Sequence, residues 1–321
     1  MNSKYTPIES LILGGLGGQP WGTADRKRAD LQAALMAWSD IRKAAGFAGD
    51  GGWVTTDKTN VKLGKAGLPT VGVTLHASTD AHRMWKSITP AQRDALAAAV
   101  GRTVDEVDGL LSVSVCPRST CGCCAGCVVS YSNNALMTRS RLARLCRNLL
   151  TVAMPAYALT LTAHQLELLT SAYGDENTRW RVNISDDIRW ELVAPGLWDV
   201  APKAYSYTKF SPAERPEQEN LRLVYSASEV WGSADITRVT KKGHRVAVVF
   251  DCKKGALPST WSNVPVVNGD ITDDLWAHPA GSIVGLAVKG PTLAVRQAAA
   301  QCGFALPVQT IVRVSRRTIA A

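Results

Sequence analysis

Short apolar runs at recurring intervals constrain the fold of this chain more than any other feature. Each run is rich in β-branched or small residues and ends on a polar or charged residue. Such runs are typical of parallel strands that are buried on both faces. The runs are TVGVTLHAS (70–78), LLSVSV (110–115), WRVNISDD (180–187), AYSYTK (204–209), LRLVYSASE (221–229), RVAVVFD (245–251), VPVVNGD (264–270) and SIVGLAVKG (282–290).

Eight strands with helices between them predict an α/β fold, specifically a (β/α)₈ barrel of the TIM type or an incomplete relative of one. An open doubly wound sheet is the alternative. We expect an irregular N-terminal arm over 1–67, with one helical stretch at 24–45, followed by a barrel-like catalytic domain over 68–321. A helical insert is expected at 80–111 and a cysteine-rich loop at 115–128.

The polar residues that end these runs predict a functional site. In a barrel, active-site residues lie at the carboxyl ends of the strands, so the residues that follow the strands should meet at one rim. Any single aspartate among them would serve equally well as a helix N-cap, but the whole set favours a ligand site. The candidates are Asp186, Asp187, Lys209, Glu229, Asp251, Asp270 and Lys289.

Five cysteines fall within twelve positions, in the order Cys116, Cys121, Cys123, Cys124 and Cys127. The C-x3-C-x2-C pattern of radical S-adenosylmethionine enzymes is absent, and a nucleophile needs only one thiol. A tight loop of thiolates suits zinc, with Cys116, Cys123 and Cys127 as the preferred ligands. Cys121, Cys124, or the distant Cys252 or Cys302 would complete the site. An iron–sulfur cluster on the same thiolates, or free thiols, are the alternatives.

Charge and hydropathy indicate the partner and the compartment. The formal net charge is +9, from 36 Lys and Arg against 27 Asp and Glu, which favours an anionic partner such as nucleic acid, or else an inert basic surface. Arg141 and Arg144 recur on one face of the helix after the cysteines and are candidate phosphate contacts. No run of eighteen apolar residues occurs, and the N-terminus lacks a signal-peptide pattern. We therefore expect no membrane contact, and a reducing cytoplasm.

A set of ordered motifs resembles a known family. The C-P-x5-C-x3-C element and the segments RVNISDDIRWE, YSYTK, YSASE, VAVVF, VPVVNGDITD and IVGLAVKG together look like a largely uncharacterised family from phages of actinobacteria. The resemblance runs from about residue 60 to 306. A second phage family shares the C-x6-C-x3-C spacing and the YTK strand. The resemblance implies that the protein acts in the cytoplasm of an infected bacterium.

The chain is also distantly similar to guanine transglycosylases, which exchange guanine for a 7-deazaguanine in tRNA or phage DNA. These are zinc-containing (β/α)₈ barrels that use two aspartates at strand ends. The similarity implies that Asp187 is the general acid/base and that Asp251 or Asp270 is the nucleophile. It also implies a nucleic acid, DNA more than RNA, and a free nucleobase as substrates. In those enzymes the cysteines follow the barrel, whereas here they precede most of the strands.

Three functions remain open at the level of sequence. The first is a nucleic-acid-modifying enzyme, with base exchange as its sharpest form. The second is a non-catalytic zinc-containing protein that binds nucleic acid through the cysteine loop and the arginine-rich helix. The third is a redox barrel that carries an iron–sulfur cluster. In the first, Asp186, Lys209, Glu229, Lys289, Arg141 and Arg144 are expected to bind the substrate.

Overall fold

The structure is a computed structural model that describes residues 4–48, 51–65, 67–77, 80–125, 127, 138–289 and 293–309. Its helices occupy mainly the first half of the chain, and its strands the second half. The helices are α1 (Pro7–Gly15), α2 (Thr23–Arg28), α3 (Leu31–Ala44), α4 (Val61–Gly64), α5 (Asp80–Ser87), α6 (Pro90–Ala99), α7 (Val104–Ser112), α8 (Cys121–Ala125), α9 (Thr138–Ala153), α10 (Pro155–Tyr173), α11 (Trp190–Val193), α12 (Ser233–Lys241) and α13 (Leu293–Gln301).

One mainly parallel sheet organises the fold, in the order β1-β2-β3-β4-β5-β6-β9-β8-β7. Among the described strands, only β1 and β7, at the two ends of the sheet, pair in the antiparallel direction. A tenth strand pairs with the last residues of β6. The strands are β1 (Thr55–Thr56), β2 (Thr70–Gly72), β3 (Arg179–Arg181), β4 (Ala204–Thr208), β5 (Leu221–Ser226), β6 (Arg245–Phe250), β7 (Thr260–Trp261), β8 (Val264–Asn268), β9 (Ile283–Ala287) and β10 (Ala305–Leu306).

The predicted α/β class is confirmed, but the described strands do not form a closed barrel. The strand at each end of the parallel set pairs with an antiparallel strand instead of with the opposite end. The sheet nevertheless curls strongly. Six inter-strand spacings separate β2 from β8, which is about 29 Å in a flat sheet. Yet Lys65, just before β2, donates from Nζ to the carbonyl oxygen of Asp270, just after β8, at 2.8 Å.

Two sequence predictions about elements are wrong. The run 110–115 is not a strand, because Thr103 and Glu106 form a capping box that starts α7, and Val107 and Leu111 bury one face of that helix. The N-terminal region contains several helices instead of one. The stretch 24–45 breaks at Ala29, whose backbone is extended, and the Asp30 side chain then caps α3 by accepting from Ala33 N.

The two faces of the sheet are covered differently. Helices α3, α9 and α10 belong to a layer whose core includes Trp180, Leu223 and Val248. The opposite face, with Tyr205, Val224 and Val284, packs against Leu275 in a 3₁₀ turn (Leu275–Ala277) that follows β8. Two buried ion pairs fasten this segment to β3: Arg179 with Asp274, and Arg181 with Asp273. Among the described helices, none is long and apolar enough to cross a membrane.

Candidate functional site

All seven rim candidates follow parallel strands, so the fold carries them to one edge of the sheet. Asp186 and Asp187 follow β3, Lys209 follows β4, and Glu229 follows β5. Asp251, Asp270 and Lys289 follow β6, β8 and β9. These three strands are adjacent in the sheet, because β9 lies between β6 and β8.

Asp187 is held by hydrogen bonds on both carboxylate oxygens. Thr208 Oγ1 donates to Oδ1 at 2.8 Å, the backbone N–H of Lys209 donates to Oδ2 at 2.8 Å, and Arg215 Nη1 lies 3.1 Å from Oδ1. Burial raises the pKa of Asp187, and the charge of Arg215 opposes this. The predicted acid/base role of Asp187 stays a prediction, and its contacts also make it a fixed point between β3 and β4.

Arg215 is the centre of this buried network. Its side chain is fully buried and forms a two-point ion pair with Glu191, at 2.8 and 3.0 Å. It also donates to Asn183 Oδ1 at 3.1 Å, which accepts from Ser206 Oγ as well, at 2.8 Å. A guanidinium with carboxylate partners on two sides suits such a position, because its planar fork satisfies several acceptors at once.

Asp186 lies in an apolar setting beside this network. Its Oδ1 accepts from Asn183 Nδ2 and from the backbone of Ile188. Burial raises its pKa to about 7. The side chain lines an enclosed cavity of about 20 Å³ together with Trp53, Trp180 and Trp190. That volume holds about one water molecule, so the cavity is too small for a nucleobase.

Of the two carboxylates at the ends of these three neighbouring strands, Asp270 is the more tightly held. Lys289 Nζ lies 2.7 Å from Oδ1, and the backbone N–H of Ala287 donates to Oδ2 at 2.9 Å. Burial disfavours the charged form, but the hydrogen bonds from Lys289 and Ala287 outweigh it and hold the pKa of Asp270 below its usual range. This carboxylate therefore stays ionised at neutral pH.

Asp251 and Cys252 face the same region as Asp270. Asp251 is exposed, and Cys252 is half-buried. Burial raises the pKa of the Cys252 thiol, and the charges of Asp270 and Asp251 raise it further, so the three groups are electrostatic neighbours. Asp251 and Cys252 line an open cleft of about 810 Å³ at the carboxyl ends of β6 and β9, and so does Lys289, the ion-pair partner of Asp270. Pockets for small ligands typically measure about 300–1,000 Å³.

The cysteine loop rests on the same rim, at the end of β5. Glu229 accepts from Thr120 Oγ1 at 2.7 Å and from the backbone N–H of Gly122 at 2.9 Å. Cys116 Sγ lies 3.4 Å from the carbonyl oxygen of Ser185, at the end of β3. Burial raises the pKa of Cys123, the charge of Lys209 opposes this, and Cys127, Cys124 and Glu229 add to the increase. The loop is thus joined to two of the strand ends that carry candidate residues.

The described thiols do not form a metal site. Within the part of the chain that the structure describes, no three Cys, His, Asp or Glu side chains group as metal ligands. The side chain of Cys121 lies outside that part. The distant Cys302 lies beside the loop, because a Cβ built on Gly122 would lie 3.0 Å from its Sγ. The zinc and iron–sulfur alternatives stay predictions.

The arginine-rich face of α9 packs inward. Arg144 and Asn148 are buried, and Asn148 Oδ1 accepts from the backbone N–H of His76 at 2.8 Å. Burial and the charge of Arg144 lower the pKa of His76 to about 4, and His76 Nε2 lies 2.7 Å from the carbonyl oxygen of Arg141. This face therefore packs against the segment after β2, and Arg141 remains half-exposed.

Comparison with known proteins identifies the family. The family model described as Gene product 88 matches residues 72–307. The chain belongs to the Gene product 88 family. This confirms the part of the sequence resemblance that points to an uncharacterised phage protein family. No curated protein and no solved structure is detectably similar to the chain.

The match to the Gene product 88 family covers the candidate residues predicted from the sequence. It begins at the last residue of β2 and ends just after β10, so it contains the seven rim candidates and the cysteine loop, but not Lys65. Helices α1 to α4 and strand β1 lie outside it. Their side chains nevertheless share the core of the matched region, since Ile12, Trp38 and Trp53 belong to the same buried cluster as Trp180.

Sequence reasoning missed several residues of this Gene product 88 site. Arg215 lies in a polar segment and Glu191 is a single acid in a mostly apolar one, so no local signal marked them as members of the buried network around Asp187. Ala287 contributes through its backbone alone. Lys65 lies before the first parallel strand and reaches the rim only because the sheet curls. Long-range contacts of this kind depend on the tertiary fold.

Proposed function

We propose that this member of the Gene product 88 family is an enzyme that modifies a nucleic-acid base or sugar in the cytoplasm of an infected bacterium. One observation carries the proposal: Asp251 and Lys289 line one open cleft at the ends of adjacent strands, and Lys289 is paired there with the buried Asp270 of the next strand. Ligand sites of parallel α/β sheets lie at the carboxyl ends of the strands. The net charge of +9 favours a polyanionic substrate.

In its most specific form, the proposed reaction is base exchange. An ionised carboxylate of Asp270 attacks C1′ of a nucleotide, the bond between C1′ and the base breaks, and the base leaves with a proton from a general acid. The nucleotide stays attached to Asp270 as an ester until an incoming 7-deazaguanine displaces the carboxylate and gives up its proton. The distant similarity to guanine transglycosylases, which are barrels, supports this reaction class.

Two aspartates compete for the proton-transfer role. Asp251 is exposed in the cleft that Lys289, the partner of Asp270, also lines, so it can reach a leaving base. Asp187 follows β3, three strands away from β6, and does not line this cleft. We assign proton transfer to Asp251 and keep Asp187 as the alternative. A zinc ion on the cysteine loop would stabilise that part of the rim, and no step of the reaction passes through it.

A guanine-exchange assay tests this function. Purified protein is incubated with isotope-labelled guanine and with single-stranded DNA, duplex DNA or RNA, and label in the polymer is counted. We expect incorporation by the wild type and by the exposed control Asp94→Asn, and a loss of about 100-fold or more in Asp270→Asn, because the nucleophile is gone. Steeply salt-dependent binding without exchange on any polymer would instead indicate a non-catalytic nucleic-acid-binding protein.

Metal analysis of the same preparation decides the cofactor. One zinc per chain in a colourless protein would support the predicted structural ion. Brown colour and visible absorbance after anaerobic purification would indicate the iron–sulfur alternative. The expected result is zinc, whose removal should loosen the cysteine loop without removing Asp270 from its contacts.

A further inference from the structure

The connections that follow β6 and β9 form the walls of the cleft beside Asp251. After β6 the chain passes to β7 and β8, on the side of β6 where β9 lies. After β9 it passes through α13 to β10, which pairs with Val249 and Phe250 on the other edge of β6, beyond the point where β5 pairing ends. Both connections leave from the carboxyl ends of parallel strands, where ligands bind in α/β proteins.

The walls of this cleft carry positive charge and amides. Lys253 and Lys254, in the connection after β6, face one side of α13 that presents Arg296, Gln297 and Gln301. The spacing of Gln297 and Gln301 places both on one helix face. Asp251 and the Lys289 that is paired with Asp270 lie on the same cleft.

Lys253 and Lys254 are the cleft residues whose charges have no described partner in the fold. Both side chains are exposed. Within the described ranges, neither ammonium group forms a hydrogen bond or an ion pair, in contrast to Lys65 and Lys289 at the same rim. Two uncompensated charges beside amide donors match the oxygens of phosphate groups, which accept hydrogen bonds from both.

We propose that this cleft binds the sugar–phosphate backbone on either side of one unstacked nucleotide of a single strand, with Lys253 and Lys254 on the phosphates. The inference rests on the proposed function, because the strand would hold the reacting nucleotide beside Lys289 and the Asp270 that is paired with it. The cleft volume of about 810 Å³ suits a nucleotide-sized unit. Enzymes that act on a base take it out of the stack, so a single strand or an extruded nucleotide is the form that fits.

Salt-dependent binding tests the proposal. Binding of a fluorescent single-stranded DNA of twelve nucleotides is measured by anisotropy at several salt concentrations. For the pair Lys253→Ala and Lys254→Ala we expect at least tenfold weaker binding at low salt. The slope of log K against log salt should fall by about 1.4, because two phosphate contacts disappear. The control pair, Lys27→Ala and Arg28→Ala, removes two exposed charges of α2 outside the cleft and should bind like the wild type.

Competition by a free nucleotide shows whether the cleft binds the phosphates of a strand or those of a free nucleotide. A strand site predicts that a nucleoside monophosphate competes only at a concentration about 100-fold or more above that of the oligonucleotide. Equal competition, or a wild-type slope in the lysine pair, overturns the proposal.

The guanine-exchange assay shows whether a negative result argues against the phosphate site or against the proposed function. Asp270→Asn should bind the strand with the wild-type slope while it loses exchange. If the lysine pair binds normally and Asp270→Asn is inactive, the phosphate site alone is wrong. If the lysine pair loses binding and Asp270→Asn still exchanges guanine, the assigned nucleophile alone is wrong.

Discussion

At the scale of single residues, buried charges position the rim. Arg215 has no solvent contact and holds two carboxylates, one from the β3 end and one from α11. Removing one partner of a buried pair leaves the other charge without compensation, which costs far more than losing an exposed pair. The network thus makes the position of Asp187 depend on a residue 28 positions away.

Arg215→Met should destabilise the protein by about 3–5 kcal/mol, because Asp187 and Glu191 would remain buried without their cation. Urea denaturation measures the change in the free energy of unfolding. Arg118→Ala is the control, since Arg118 pairs with Glu214 at the surface, where the side chains are 52% and 38% exposed. That control should lose no more than about 1 kcal/mol. A loss of under 1 kcal/mol in Arg215→Met would contradict the role given to the network.

Asp186 makes stability depend on pH in an unusual direction. Its pKa rises from the ordinary value of 3.8 to about 7 in the folded protein, mainly through burial. The folded state therefore binds a proton that the unfolded chain releases, and its contribution to stability falls as pH rises from about 4 to about 7. Asp186→Asn abolishes this titration while keeping an oxygen acceptor.

Relative to the wild type, Asp186→Asn should therefore become more stable as the pH rises from about 4 to about 7, by ~4 kcal/mol at most. The difference in unfolding free energy should stay level above about pH 8. Urea titrations across this range provide the measurement. A difference that does not change with pH would show that Asp186 titrates as an ordinary exposed carboxylate.

At the scale of elements, a close backbone approach joins the cysteine helix α8 to the rim. A Cβ on Gly122 would lie 2.7 Å from the Cβ of Phe304 and 3.0 Å from both Cys302 Sγ and Glu229 Oε2. The first contact is with a side-chain atom bonded directly to the backbone, so the two elements would have to separate. Glycine at this position is therefore required for the loop to reach Glu229.

Gly122→Ala should move the cysteine loop away from Glu229 and cost about 1–3 kcal/mol in stability. Alkylation of Cys123, followed by peptide mass spectrometry, should become faster because its burial decreases. Gly109→Ala is the matched control: nothing lies within 4 Å of a Cβ there, and the site is exposed inside α7. That variant should gain about 0.5–1 kcal/mol from helix propensity. Equal Cys123 alkylation rates in the two variants would contradict the docking of the loop.

At the scale of the whole molecule, a curled parallel sheet brings distant segments to one edge. The segment after β8 crosses a sheet face to reach β3 and β4, through Asp273, Asp274 and Trp276. The N-terminal helices complete the helical layer on the other face. The rim therefore depends on parts of the chain both inside and outside the region matched to the Gene product 88 family.

Much of this architecture could be predicted from the sequence. Seven of the eight predicted runs contain a parallel strand, because β-branched runs that end on polar residues report burial on both faces. The prediction of a strand at 110–115 is wrong because the run begins inside the apolar face of α7, a helix that starts at the capping box of Thr103. The position of β9 between β6 and β8 has no local signal, since all three runs are similarly apolar.

The candidate site shows the same limit. Asp251, Asp270 and Lys289 could be chosen from their positions at strand ends, but their adjacency required the strand order. Arg215, Lys65 and the backbone of Ala287 could not be chosen, because their roles come from tertiary contacts. Arg144 was predicted as a phosphate contact from helix periodicity, which identifies a face without saying which side packs inward.

The covalent intermediate is the most direct test of the central claim, that Asp270 attacks the sugar at this cleft. The protein is incubated with a single-stranded guanine-containing oligonucleotide in the absence of an incoming base, denatured rapidly, and digested for peptide mass spectrometry. We expect an oligonucleotide adduct on Asp270 in the wild type and in Asp94→Asn, and no adduct in Asp270→Asn. An adduct on Asp187 or Asp251 in place of Asp270, or guanine exchange with no adduct on any residue, would contradict the account.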